Sequence, residues 1–272
     1  MRYWIKMYQA NLKIAVATQL QYRMEILIWA IWGFVAPLIS LAVWNATALS
    51  KGGTISNGAG ATFSRGDFAA YFLVFMICSH LMMSWDAFEY SFRVREGNLS
   101  PRLLKPIHPI HSDASQNIAF KIVTSVMLLP IWILMFWLLK PTPPAHWWQP
   151  VLAIPALLIG AVIRYIWNYS VAIIAFWTTR TEAVNQFYFT LDSFLSGRIA
   201  PLLLLPIWLQ NLSAFTPFRS MGSFPVEVAL GRIPPNQILT GFGTQIFWLL
   251  AGLVVLKVMW ANGIKQYSAV GA

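Results

Sequence analysis

Charged side chains are scarce in this chain. Of its 272 residues, 10% are Asp, Glu, Lys or Arg and 58% are hydrophobic, whereas a soluble domain carries about 25% charged residues. That shortage excludes a globule coated by its own polar surface, so the solvent for most of the chain is lipid. Acidic residues are scarcer still, nine against nineteen basic ones, for a formal net charge of +10. Cysteine is confined to Cys78, inside an apolar run, which excludes an intrachain disulfide and a cysteine-based metal site. No G-x-x-x-x-G-K-[S/T] stretch occurs, so the chain has no Walker-type phosphate loop. Alternating segments of ~10 residues, the mark of a membrane β-barrel, are also missing.

What the sequence has is long uncharged runs. Glu25 to Lys51 encloses 25 uncharged residues, Asp67 to Asp86 encloses 18, and Lys121 to Lys140 encloses another 18. Val151–Trp177 is apolar apart from Arg164, Ala183–Leu209 is apolar but holds Asp192, Gly197, Arg198 and Pro201, and Ile238–Leu256 is uncharged. A membrane helix needs about 20 such residues, and backbone in lipid must satisfy its own hydrogen bonds. These runs predict an all-α integral membrane protein, one transmembrane domain over 1–272 with six spans at about 26–45, 68–90, 118–139, 151–177, 184–206 and 238–260.

Lysine and arginine set the orientation. With the N-terminus inside, twelve fall in inner segments, among them Arg93, Arg95, Arg102, Lys105 and Lys265, and five in outer ones: Lys51, Arg65, Lys140, Arg219 and Arg232. Both termini are then expected in the cytoplasm. The positive balance follows topology, and a nucleic-acid partner loses its support. The first residues lack a clean small-residue cleavage site, which argues against a signal peptide. Lys6, Gln9 and Lys13 fall at helical spacing opposite Trp4, Tyr8, Leu12 and Ala15, which predicts an interfacial helix over 1–24; a disordered basic leader is the alternative. Residues 199–237 are apolar yet carry Pro201, Pro206, Pro217, Pro225, Pro234 and Pro235. Proline breaks helix interiors, so short helices forming a broken re-entrant hairpin on the outer side, at 207–237, are expected before the last span, with an ordinary amphipathic loop as the alternative.

The cytoplasmic link at 91–117 contains EGNLSPRLLKPIHPIHS. Ser100 is placed to cap a helix, Pro101 suits its first position, and Pro106 ends it. Leu99, Leu103, Leu104 and Ile107 give this short helix an apolar patch, edged by Arg102 and Lys105. Docking onto another protein and resting on lipid headgroups both fit. His108 and His111 have metal-ligand spacing but no third ligand nearby. His80 is expected to be a hydrogen-bonded core residue. Arg164, Asp192 and Arg198 remain within the membrane, where ionisable groups face the bundle interior. At 1.5 Å per residue along straight helices the two arginines lie at similar depth and Asp192 roughly 9 Å lower, so Asp192 is expected to reach only one of them, through a tilted or kinked helix, and Gly197 and Pro201 favour a kink. A charge pair that fixes packing, a polar lining on a translocation path, and snorkelling to the interface remain open.

The run R-E-G-N-L-S-P-R-L-L-K-P-I-H-P, Arg95 to Pro109, resembles the cytoplasmic-loop signature of ABC exporter permeases of the second type. The order of parts is also similar to that family: an interfacial helix, six spans, and a broken hydrophobic hairpin before the last. The stretches S-G-R-I-A-P-L-L-L-L-P at Ser196–Pro206 and F-P-V-E-V-A-L-G-R at Phe224–Arg232 look like its small bacterial members. The resemblance implies that Glu96, Gly97, Leu99, Leu103, Leu104, Lys105 and Pro106 form a coupling helix that docks on a separate ABC ATPase subunit. It implies no cofactor on this chain, with ATP and Mg held by that partner, and a second permease copy or a related permease in the inner (plasma) membrane bilayer. Transport would then run outward by alternating access. A passive channel or membrane scaffold without an ATPase is the alternative. Six spans would also suit an intramembrane serine protease around Ser196–Gly197, but Phe194 stands where a glycine is expected and the last span lacks a histidine base.

Overall fold

Long apolar stretches with few internal breakers fold here as helices. The computed structural model describes residues 2–57, 60–178 and 180–267, with the side chains of residues 2, 3, 26, 29 and 30 excepted; Arg2, Ile26 and Trp29 thus lie outside the described side chains. Helices α1 (Arg2–Gln21) and α2 (Arg23–Ser50) meet at Tyr22. A two-stranded antiparallel hairpin follows, β1 (Thr54–Ser56) and β2 (Thr62–Ser64), with Ile55 opposite Phe63. This short hairpin is the β structure among the described residues of a chain that is otherwise helical, in line with the all-α membrane class. Positive φ at Gly52, Gly53 and Gly60 lets the chain turn into and across it.

Helix α3 (Arg65–Met82) starts at a capping box, in which the Ser64 N–H donates to Asp67 Oδ2 at 2.9 Å and the Asp67 N–H donates to Ser64 Oγ at 3.3 Å. After an irregular step at Met83–Trp85 come α4 (Asp86–Arg95) and the single turn α5 (Ser100–Leu103). Helices α6 (Pro109–Leu139) and α7 (Trp148–Ile173, extended by a 3-10 turn at Ile174–Phe176) follow, and each packs against α3. Then α8 (Glu182–Leu195), a 3-10 turn at Leu202–Leu204, α9 (Ile207–Ala214), α10 (Pro217–Ser220), α11 (Ser223–Ala229) and α12 (Pro235–Gly263) complete the chain.

Five helical stretches among the described residues are long and apolar enough to cross a membrane: Ile31–Ser50, Arg65–Arg95, Pro109–Leu139, Trp148–Phe176 and Pro235–Gly263. The α3–α4 stretch is the central one, with 67% of its apolar window buried against 11% for α12. The outer helices expose Val126, Ile133, Trp137, Leu158, Phe247 and Val254, an apolar coat suited to acyl chains and not to water. The span expected at 184–206 is not one helix. Its helical part, α8, has 14 residues, about 21 Å at 1.5 Å per residue, short of a hydrocarbon core of about 30 Å. Gly197 then takes φ +83 and Pro201 follows, so the chain leaves the helix.

The irregular stretch that follows has its carbonyls occupied by side chains. Tyr71 Oη donates to Gly197 O at 2.9 Å, Trp44 Nε1 to Ile199 O at 2.9 Å, and Gln210 Nε2 to Leu205 O at 2.8 Å. Asn57 Nδ2 donates to Leu203 O. Non-helical backbone at membrane depth requires such partners. The short helix α11 is buried throughout and packs on α3 and α7, whereas Ile207, Trp208, Leu212 and Phe215 in and just after α9 are exposed.

The two ends of the bundle are distinct. At one, the Thr142 N–H donates to Gly66 O at 3.0 Å, and Arg232 pairs with Asp67 at 2.6 Å while stacking over Phe63. At the other, Arg95 approaches Glu182 at 3.7 Å, Ser100 meets Tyr267 at 2.8 Å, and Tyr8 meets His111 at 2.6 Å. Helix α1, the segment 96–107 and Tyr267 therefore share one end.

Candidate functional site

The segment after α4 is shaped by glycine and proline. Gly97 takes φ +69, and the Leu99 N–H donates to Arg93 O at 3.2 Å, which closes α4 and turns Leu99 inward. Leu99 is fully buried in a cluster with Tyr90, Val94, Tyr169 and Ile173. Leu103 packs partly against that cluster, whereas Leu104 is 88% exposed, beside exposed Lys105 and Pro106. Glu96 is exposed and Gly97 half-buried. The four apolar residues read as one patch thus divide between a core anchor, Leu99, and an outward tip, Leu104. Ser100 begins α5 without capping it, and its hydroxyl bonds Tyr267 instead.

The segment is tied down by a residue the sequence reading passed over. Asp113, 2% exposed on the first turns of α6, accepts from Arg93 Nη1 at 2.9 Å, from Arg102 Nη1, and from Tyr169 Oη at 3.2 Å. Arg93 also pairs with Glu89 on the preceding turn of α4. One buried carboxylate therefore links α4, α5, α6 and α7. Its signal was present: Asp113 is an acidic residue in a chain with nine, set among basic neighbours. Close by, burial pushes the His108 imidazole below its ordinary pKa, with His111 adding in the same direction and Asp113 opposing. Burial raises the Tyr8 hydroxyl.

A second buried cluster lies deeper. Arg164 on α7 donates to Asp192 on α8 through both Nη atoms, at 3.1 and 3.0 Å, and to Met221 O at 2.8 Å. Arg198 Nη2 reaches Asp192 Oδ2 at 3.3 Å. Asp192 thus engages both arginines, contrary to the depth count from straight helices. The positive φ of Gly197 folds Arg198 back onto the last turn of α8. The bidentate fork to Arg164 is the geometry of a strong, position-fixing pair. Arg198 differs, with 37% of its side chain exposed and a buried Nε without a hydrogen-bond partner.

Both arginines border a cavity of about 240 Å³ whose wall includes His80, Ser84, Trp85 and Trp132. His80 is buried and bonds Thr124 at 2.8 Å, the core role expected of it. The cavity opens beside the break between α3 and α4. There Asn117 Nδ2 donates to Met83 O at 3.1 Å, Asn168 Nδ2 to Ser84 O at 2.8 Å, and Asn185 Nδ2 to Ala87 O at 2.9 Å. Asn117 and Asn168, from α6 and α7, thus hold carbonyls that a continuous helix would have used itself, and Asn185 from α8 bonds the first turn of α4. None was singled out from sequence, although an asparagine within an apolar span is a visible signal.

An excess positive charge bordering an apolar, aromatic cavity can bind an anionic group on an amphiphile. Replacing Arg198 by alanine is expected to leave thermal stability close to wild type, because Arg164 retains Asp192. It is expected to weaken binding of an anionic amphiphile to the purified chain about ten-fold, the consequence of losing about 1.4 kcal/mol. Unchanged binding would remove Arg198 from this role.

Among the described residues no group of three or more His, Cys, Asp or Glu is placed to hold a metal ion. No curated protein matches the sequence. A family model described as ABC-2 family transporter protein matches residues 57–271, a range that takes in the tethered segment, the arginine–aspartate cluster and every candidate span except the first. The chain therefore belongs to the ABC-2 transporter family, as a multi-pass membrane subunit of an ABC transporter that carries no ATPase site of its own.

Proposed function

We propose that the chain is the membrane-spanning subunit of a bacterial inner-membrane exporter, driven by a separate ABC ATPase that binds ATP and Mg. The observation that carries this reading is the build of residues 96–107. They present an exposed Leu104, Lys105 and Pro106 on a base held rigid by Asp113. A tip on a flexible loop would absorb a push from a partner. A tip tied through one carboxylate to α4, α6 and α7 passes the push to those helices.

In this reading the end that carries α1, residues 96–107 and Tyr267 faces the cytoplasm, so both termini lie inside. The N-terminal helix lies in the inner interface, and α8 with the irregular stretch after it makes a sixth crossing before a broken hairpin on the outer side. Two copies, or this chain and a related permease, enclose the path. The break at Met83–Trp85 lets α4 tilt while α3 stays packed, and the cavity beside Arg198 changes shape as it does so. Alternating access then moves substrate outward.

The test is affinity capture of the chain from native membranes in mild detergent, wild type against Leu104→Asp. An ATPase that co-purifies with wild type and is lost from a variant of unchanged melting temperature supports docking at Leu104. Leu103→Asp is a poorer probe, because Leu103 also packs inward. A wild-type chain that brings down no ATPase favours the passive channel or scaffold.

A further inference from the structure

Between α1 and the start of α6 lies a second cavity, of about 350 Å³, within the size range of small-ligand sites. Arg102, Lys105 and His108 line one wall, and Asn11, Gln19 and Gln116 supply neutral polar groups. No carboxylate lines it. Arg102 gives one Nη to Asp113, which leaves the rest of its fork for a second acceptor. His108 Nδ1 accepts from the Ile110 N–H at 3.2 Å, so the ring hydrogen sits on Nε2 and a neutral His108 is still a donor. The imidazole is held in place against Trp260, with ring centroids 4.0 Å apart. Lys105 is exposed, and Ile14, 67% exposed, stands at the same cavity as an apolar neighbour.

We infer that this cavity binds the phosphate of an anionic phospholipid headgroup, seated between α1 and the 102–108 segment. Two cationic side chains, Arg102 sharing its charge with Asp113 and Lys105 exposed, and an imidazole donor match a phosphate oxyanion. Exposed Ile14 beside them favours a lipid over free phosphate, since it gives an acyl chain a surface to follow. The site shares Arg102 with the Asp113 tether, so an occupied site braces the same segment from the α1 side. The inference rests on the chain being a membrane protein and not on an ATPase partner.

The experiment is native mass spectrometry of the purified chain in detergent, titrated with dioleoylphosphatidylglycerol or dioleoylphosphatidylcholine. Wild type is expected to retain the anionic lipid preferentially. Lys105→Gln is expected to weaken that preference roughly five-fold, from about 1 kcal/mol per basic residue near an anionic surface. Lys105→Gln/Gln116→Leu is expected to weaken it further, and neither variant touches Asp113, so folding is preserved. Lys140→Gln, at the opposite end, serves as the control. Equal retention by wild type and both variants would overturn the inference. So would displacement of the lipid by millimolar inorganic phosphate, which would mark a free-phosphate site. A wild type with no lipid preference, whose Lys105 cross-links to an acidic residue of a co-purified ATPase, would overturn it in favour of a protein contact.

Discussion

Asp192→Leu is expected to destabilise the chain by about 3–5 kcal/mol, the cost of removing one partner of a buried ion pair. The carboxylate is 1% exposed and serves two guanidinium groups, one of them almost as deeply buried. Without it Arg164 keeps only the Met221 carbonyl as an acceptor, and two like charges face each other in a low-dielectric setting. Asp192→Asn should be nearly as severe, because it keeps the shape and loses the charge. The double variant Arg164→Met/Asp192→Leu should recover most of the loss, since apolar residues of similar volume often replace a buried pair without penalty. Melting followed by size-exclusion chromatography reads all three. ATP turnover of the double variant then separates the two roles. Wild-type turnover in a restored fold makes the pair a packing device. A silent but stable double variant places the charges on the path. Failure of the double variant to recover stability would show that apolar packing cannot replace the pair between α7 and α8.

The residues that sequence reading placed well are those whose role depends on composition along the chain. Five of the six apolar runs overlap candidate spans among the described residues, because lipid penalises charge wherever it falls; the run at 183–209 does not. The arginines inside those runs stood out for the same reason. The misplacements share a different cause. The depth count for Asp192 assumed a straight helix, and the single positive φ at Gly197 undoes it. The apolar patch at 99–107 assumed that one short helix shows one face, yet the turn at Gly97 sends Leu99 into the core before the helix begins. The break at Met83–Trp85 has no proline or glycine to announce it. Its carbonyls at Met83 and Ser84 are satisfied by Asn117 and Asn168, 34 and 84 residues away in sequence, while Asn185 bonds the first turn of α4. Only tertiary packing brings them there, so no local pattern encodes the break. The β-hairpin at 54–64 did leave a signal, in alternating polar and apolar residues flanked by glycine.

The tether makes a prediction of a different kind from the tip. Asp113→Asn is expected to lower stability by about 1.5–3 kcal/mol for each charge-assisted hydrogen bond that is lost. The loss should stop short of two full contributions, because Arg93 retains Glu89 and the Arg102 side chain, 27% exposed, can turn toward water. Adding Arg102→Gln should therefore recover part of the loss, whereas adding Glu89→Gln should deepen it by stranding Arg93. Function should follow another order. Leu104→Asp breaks contact with a partner while the melting temperature stays put. Asp113→Asn keeps Leu104 on the surface, so a partner can still bind, but binding no longer moves α4, α6 and α7 as a unit. An ATPase captured in wild-type amounts with coupled turnover reduced is the expected signature of Asp113→Asn. Normal coupling in this variant would mean that the push travels through the packing of Leu99 against Tyr90 and Tyr169 and not through the carboxylate. Because Asp113→Asn is expected to lose stability, its coupling is read on protein that elutes as a folded species below its own melting temperature. A difference between the two variants then isolates docking at the tip from transmission through its base.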